Sequence, residues 1–400
     1  MLNRSVAHLG QNRSTQQFNN STTQQKMSYP SPAYILEIAK LRKNLELMQS
    51  VAQRAEVDII LALKAFSFYP VFPFIKEYLD GATASSLNEA RLIFREMGVL
   101  SHTYNVAYIE DEFEEIMDLS SHLVFNSIAQ FRRFYPRVQA FERHISCGIR
   151  INPEYSSVET DLYNPAAPGS RLGETADKFA DGLPEGVEGL HFHTLCESNS
   201  YNLENTLAAV EEKFGHLLPR VKWLNMGGGH LMTHKDYEPE HLIKLLQNFK
   251  KKHKLDLILE PGSAALWQTG FLVSTVLDIH ESRGIKTAIL DVSFTAHMPD
   301  TLEMPYRPTV RGATEPQPGK PTYRLGGVSC LSGDFMTEYS FEKELKVGQQ
   351  LILEDMMHYT TVKTTMFNGV RHPDICVLEE DGKLRTVRRF GYEDYRGRMG

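Results

Sequence analysis

The chain has 400 residues, 42% hydrophobic and 23% charged, which are ordinary globular values with enough apolar material for one large domain or two unequal ones. A formal net charge of −7 provides no basic stripe to neutralise nucleic-acid phosphates and suits a cationic small molecule better. Cys147, Cys196, Cys330 and Cys376 are far apart and form no CxxC pair. That spacing argues against a disulfide framework or structural zinc and for a reducing, cytoplasmic setting. No apolar run approaches bilayer length, and the N-terminus lacks a secretory hydrophobic block.

Residues 1–27 are rich in Asn, Gln, Ser and Thr and contain no acid, a composition expected to stay disordered, with Met27 a candidate translation start. From Pro32 the texture changes. Ile38, Leu41, Leu45, Met48 and Ala52 recur at spacings of three and four and predict a helix. Strands are predicted at 59–66, 81–85, 104–108, 122–126, 145–152, 189–195, 221–229 and 255–262, most of them separated by helix-like stretches. That alternation predicts an α/β fold, a (β/α)₈ barrel over residues 28–262, with a doubly wound open sheet as the competing architecture. Beyond Gly262 the segments GFLVSTVLDI, TAILDVSF, YRLGGVS, QQLILEDM and DICVLEE predict a second, mainly antiparallel β-domain over 263–400, to which residues 28–35 are a candidate addition.

In such a barrel, ligands bind at the C-terminal ends of the strands. The polar residues predicted there are Lys64, Ser85, Asn105, Asn126, Arg150, His193, Gly227-Gly228-Gly229 and Glu260. Lys64 breaks the apolar segment LALKAF, and an amine desolvated there has a lowered pKa and can form a Schiff base; a lysine snorkelling from a strand end is the alternative. The three glycines expose backbone N–H groups able to surround a phosphate at the start of the next helix, without GxGxxG or P-loop spacing. Glu260 ends the eighth strand and would neighbour Lys64 on barrel closure, where it could hold a pyridine nitrogen protonated; a plain strand-end acid before Pro-Gly is the alternative. His191 and His193 alternate onto one face, suited to stacking on a cofactor ring, to a metal with Cys196 nearby, or to a satisfied core position.

The combination LALKAF, HFHT, GGG, EPG and GGVSCLSGD resembles the fold-type III pyridoxal-phosphate decarboxylases in motif order from residue 30 to about 390. HMPDTLEMPYRP and TTMFNGVRHPDI are most similar to the carboxynorspermidine/carboxyspermidine decarboxylases. The resemblance implies that Lys64 carries pyridoxal 5′-phosphate, that Glu260 meets its ring nitrogen and that His193 stacks on the ring. It further implies a phosphate site of Gly227, Gly228, Gly229 and Tyr359, with Glu89 and Arg150 around the cofactor. Cys330, flanked by Gly326, Gly327 and Asp334, matches a cysteine that reaches into the other subunit's site, which implies a homodimer. Leu331, Ser263 and Thr83 stand where ornithine-type enzymes carry an acid, an arginine and an acid. These departures argue against ornithine as substrate and leave amine recognition to other groups, with Asp300, Glu303 and Asp334 as candidates beside Cys330. The implied activity is decarboxylation of a carboxylated polyamine; diaminopimelate or a basic amino acid, a non-catalytic cofactor carrier, and a metal hydrolase using His191, His193 and Glu260 are the alternatives.

Overall fold

The computed structural model describes residues 29–158, 163–303 and 305–400, so the extension expected to be disordered lies outside the described residues. β1 (Ala33–Glu37) leads into α1 (Ile38–Ala55), whose buried face Ile38, Leu41, Leu45, Met48, Val51, Ala52 and Ala55 follows the helical period. A ring of parallel strands follows: β2 (Asp58–Ile59), β3 (Leu61–Ala62), β4 (Ala82–Ala84), β5 (Ser101–Asn105), β6 (Ser120–Phe125), β7 (Ser146–Arg150), β8 (Gly189–His191), β9 (Trp223–Asn225) and β10 (Asp256–Leu259). The order β2-β10-β9-β8-β7-β6-β5-β4-β3 begins and ends on either side of Ile60. That one stretch pairs with the last strand through Ile60 N–H to Leu259 O (3.0 Å) and with the second through Leu61 N–H to Gly81 O (2.9 Å). The sheet thereby closes into a barrel of eight strands, β2 and β3 counting as one.

The helices α2 (Phe72–Lys76), α3 (Leu87–Leu92), α4 (Phe113–Leu119), α5 (Ile128–Gln139), α6 (Ser200–Phe214), α7 (Pro239–His253) and α8 (Ser263–Leu266) surround this ring. Between β7 and β8 the described residues hold no α-helix, only a 3₁₀ turn at Ala176–Phe179. The strand expected over 59–66 stops at Ala62, where Ala65 N–H returns to Ala62 O (3.1 Å). The strand expected at 104–108 starts instead at Ser101. Its Ser101 and Thr103 hydroxyls, on the buried face opposite Tyr104, bond to each other and to Ser120, so the sequence does not look apolar where the strand begins. The barrel floor is closed by Trp223 packed with Ile60, Val124 and Ile258. A Cβ at Gly189 would come within 2.0 Å of the Trp223 ring, which explains the glycine.

The second sheet contains β1, β11 (Gly270–Ser282), β12 (Ile285–Leu290), β13 (Ala313–Thr314), β14 (Thr322–Gly326), β15 (Phe335–Phe341), β16 (Gln350–Glu354), β17 (Asp374–Leu378) and β18 (Leu384–Arg388). All its pairings are antiparallel except β1 with β17 and β12 with β14. Short helices α9 (Phe294–His297), α10 (Asp300–Glu303) and α11 (Tyr392–Met399) decorate it. One apolar cluster runs from α1 through the barrel layer to Leu353, Met356 and Met357, so the loop after β16 is seated against the barrel mouth. No described helix is long and apolar enough to cross a membrane.

Candidate active site

Lys64 lies in the turn just past β3, and its Nζ is 3.1 Å from His193 Nε2. His193 Nδ1 accepts the Gly228 N–H at 2.7 Å, so the neutral ring carries its proton on Nε2 and offers it to Lys64. Only an unprotonated amine can accept that proton. The side chain of Lys64 is open, but only to the cavity, and protein surrounds the amine on its other sides. Burial, reinforced by the Arg150 cation, holds its pKa below the ordinary lysine value, with Glu260 opposing. Burial also drives His193 well below the usual imidazole value, helped by Lys64 and Arg150.

Glu260 follows β10 and is 9% exposed. Its Oε1 accepts from Asn225 Nδ2 at 2.8 Å, and its Oε2 lies 3.7 Å from His191 Nε2, an electrostatic contact rather than a formed hydrogen bond. Burial raises a carboxyl, but His191 and Asn225 outweigh it and hold Glu260 at about 2. His191 stacks on Tyr104 with ring centroids 5.3 Å apart, and the Arg150 guanidinium lies 4.9 Å from the Tyr104 ring centre. Arg150 also donates to the His193 carbonyl at 3.0 Å, while Tyr104 OH donates to Asn126 Oδ1 at 2.7 Å. Tyr104 and Asn225 escaped the sequence reading, though both sit at the strand ends where polar side chains on the barrel's inner face were the signal to follow.

The triple glycine has a second explanation. Gly227 N–H donates to Asn225 Oδ1 (2.9 Å) and Gly228 N–H to His193, so two of the three amides are already engaged. A Cβ would meet Phe192 O at 2.5 Å from Gly227, Glu260 O at 2.5 Å from Gly228 and Leu195 O at 2.2 Å from Gly229, whose φ is +90°. Close approach to β8 and β10 therefore demands glycine here, and α7 starts only at Pro239, so the loop does not open the next helix as expected. Tyr359 N–H donates to Ala65 O at 2.8 Å, which fastens the loop after β16 beside the lysine. Glu89 Oε2 accepts the Ser85 N–H at 2.6 Å, and burial raises its pKa. Glu89 and Arg150 stand behind the cavity lining rather than in it.

The cavity has a volume of about 680 Å³ and is walled by Lys64, His193, Glu197, Gly228, Gly229 and Glu260 from the barrel and by Asp300, Tyr306, Glu354, Asp355 and Tyr359 from the chain beyond it. Asp300 and Glu303 both bond Lys363, the latter at 2.5 Å. Asp334 lies elsewhere: one oxygen accepts the Phe294 and Thr295 N–H groups at the start of α9, the other the Ser329 hydroxyl at 2.6 Å. It shapes the Cys330 loop from behind. Cys330 is exposed and does not line its own chain's cavity. Among the described residues, no three His, Cys, Asp or Glu side chains gather to hold a metal ion.

Residues 34–357 match the family of the pyridoxal-dependent decarboxylase, C-terminal sheet domain. A carboxyaminopropylagmatine decarboxylase of Synechocystis sp. is 52% identical over 374 residues, covering 93% of this chain and 96% of that protein. A carboxynorspermidine/carboxyspermidine decarboxylase of Campylobacter jejuni is 44% identical over 376 residues, covering 91% and 97%. The chain belongs to the pyridoxal-dependent decarboxylases. The crystal structure of carboxynorspermidine decarboxylase complexed with norspermidine from Campylobacter jejuni superposes on this decarboxylase with a TM-score of 0.86 at 43% identity, over 92% of this chain and all of that one. The coenzyme is pyridoxal phosphate, and the residues present fit it. Lys64 offers an amine whose pKa burial lowers, and the buried ring nitrogens of His191, His230 and His358 have no hydrogen-bond partner among the described residues.

Proposed function

We propose that this decarboxylase removes the α-carboxylate from a carboxylated aminopropyl amine, carboxynorspermidine or carboxyspermidine. The observation that carries the reading is the Lys64–His193–Glu260 arrangement in a cavity also lined by Glu197, Asp300, Glu354 and Asp355, which suits a substrate with an amino-acid head and a cationic tail. Relatives that act on carboxylated polyamines support it through 91% of the chain.

Bound pyridoxal phosphate supplies an electron sink for the pair left behind when carbon dioxide departs. Lys64, its pKa lowered by burial and its Nζ placed to accept from His193 Nε2, would be the amine that holds the coenzyme. The His193 ring, oriented by Gly228 N–H, would help hold the coenzyme ring. Glu260, kept ionised by Asn225 and His191, would favour a protonated pyridine nitrogen on a bound coenzyme. Arg150 and Tyr104 brace His193 and His191 from behind. The barrel floor under Trp223 excludes water from below. Asp300, in the cavity wall, receives the cationic tail, while Glu303, outside the lining, holds Lys363.

The proton returned to Cα comes from the Cys330 thiol of a second copy. Val328, Leu331, Phe335 and Phe367 around Cys330 are each at least 38% exposed, an apolar patch suited to a two-fold interface. The reducing cytoplasm fits a working thiol in this position.

A second reading has its own support: the relative with 52% identity acts on carboxyaminopropylagmatine, whose tail ends in a guanidinium rather than an ammonium. The reacting end is the same. Steady-state kcat/KM for carboxynorspermidine, carboxyspermidine, carboxyaminopropylagmatine and diaminopimelate tests both. Preference for either of the first two upholds the proposal, preference for the third replaces it with the second reading, and preference for diaminopimelate overturns both.

A further inference from the structure

Among the described residues, few cations line the cavity, and most are committed. Lys64 carries the coenzyme, Lys363 is held between Asp300 and Glu303, and Arg307 donates to Glu338 O (2.8 Å) and Thr337 Oγ1 (2.8 Å). Glu354, one of the acidic wall residues, is neutralised by Arg311. A phosphate dianion entering this space meets the carboxylates of Glu197, Asp300 and Asp355, while the Gly227 and Gly228 N–H groups are engaged elsewhere. The Gly229 N–H can donate a hydrogen bond but carries no charge, so a positive partner has to come from outside the glycine loop.

His358 has the required features. Its side chain is 12% exposed, it lines the cavity next to Tyr359, and neither ring nitrogen has a hydrogen-bond partner among the described residues. Asp355 Oδ1 stands 3.5 Å from its Nε2, too far for a hydrogen bond, while the same oxygen accepts the Gln268 N–H at 2.7 Å. The Trp267 ring packs 5.7 Å away at 30°, which fixes the imidazole plane without using its nitrogens. The adjoining Tyr359 N–H is tied to Ala65 O, one residue from Lys64, so the imidazole sits within the coenzyme's surroundings.

We propose that His358, as an imidazolium backed by Asp355, is the counter-charge for the phosphate of pyridoxal phosphate in this chain. The groups facing it are Asp355 and Tyr359 on its own loop, Glu197 from the loop after β8, Asp300 on α10 and the uncharged Trp267 ring after α8. Burial lowers its pKa, but Asp355, Glu197 and Asp300 outweigh this and raise it above the ordinary value, which favours the charged form. His230, also unpartnered, is pushed down to about 4 by burial and can offer an N–H but no charge.

The inference rests on the coenzyme and not on the polyamine substrate, so its test uses no substrate. Equilibrium binding of pyridoxal phosphate and of pyridoxal to the apo-protein is measured by absorbance for wild type, His358→Gln and His358→Arg. Gln should weaken pyridoxal phosphate at least ten-fold, as expected for a lost charge-assisted bond. Pyridoxal should stay within about two-fold, and Arg should recover most of the phosphate-dependent affinity. Wild-type affinity for pyridoxal phosphate should also fall as pH rises through the His358 pKa, a limb absent from His358→Arg. Equal weakening of both ligands, an unchanged ratio, or no recovery with Arg would overturn the assignment.

Discussion

Replacing Glu260 by Gln keeps the shape of the side chain and its acceptor for Asn225 Nδ2 but removes the charge proposed to face the coenzyme ring. In the intact site the carboxyl is held at about 2 against an ordinary 4.5, although burial pushes the other way. That difference corresponds to about 3 kcal/mol of preference for negative charge at this position. The same preference stabilises a proton on the nitrogen opposite, so kcat should fall on the order of 100-fold while the coenzyme stays attached. Linkage gives an independent check on apo-protein. Because the folded pKa is depressed, the stabilisation is fully present above the unfolded value of 4.5 and is lost as pH falls through about 2. Urea titrations should therefore show the variant weaker by up to about 3 kcal/mol at pH 7, the gap closing below pH 4.5. A carbon dioxide release rate within three-fold of wild type, or a stability gap independent of pH, would refute the reasoning.

Lys64→Ala should yield protein in which borohydride fixes no coenzyme, read by mass spectrometry; a reduced adduct elsewhere in the chain would move the attachment point. Cys330→Ala should keep the coenzyme and lose most turnover, and mixing it with Lys64→Ala chains should restore part of the activity through mixed dimers. No recovery on mixing would argue that each site is complete within one chain. Gly229→Ala forces a Cβ against Leu195 O at φ +90°, so it should cost at least about 3 kcal/mol in thermal or urea unfolding. A variant as stable as wild type would show that the loop can withdraw from β8.

The barrel was legible because its strands announce themselves as short apolar runs between amphipathic ones, and α1 because its buried face keeps the helical period. Lys64, His193, Glu260 and the triple glycine could be singled out for the same reason: each interrupts an apolar pattern or is chemically unusual for a strand end. β5 was misplaced because buried hydroxyls satisfy one another across Ser101, Thr103 and Ser120, a pairing between strands that no local window reveals.

The sequence by itself determined which elements form and which reactive side chains stand at their ends, since periodicity and strand alternation are properties of neighbouring residues. Only the tertiary structure decided what those side chains do to one another. Gly228 N–H sets the His193 tautomer, Asn225 and His191 keep Glu260 ionised, Lys363 joins Asp300 and Glu303, and Asp334 turns away from the cavity to cap α9. Each of these contacts joins residues from different elements brought together by barrel closure or by the second sheet. Their energies depend on distance and burial, which chain order does not contain.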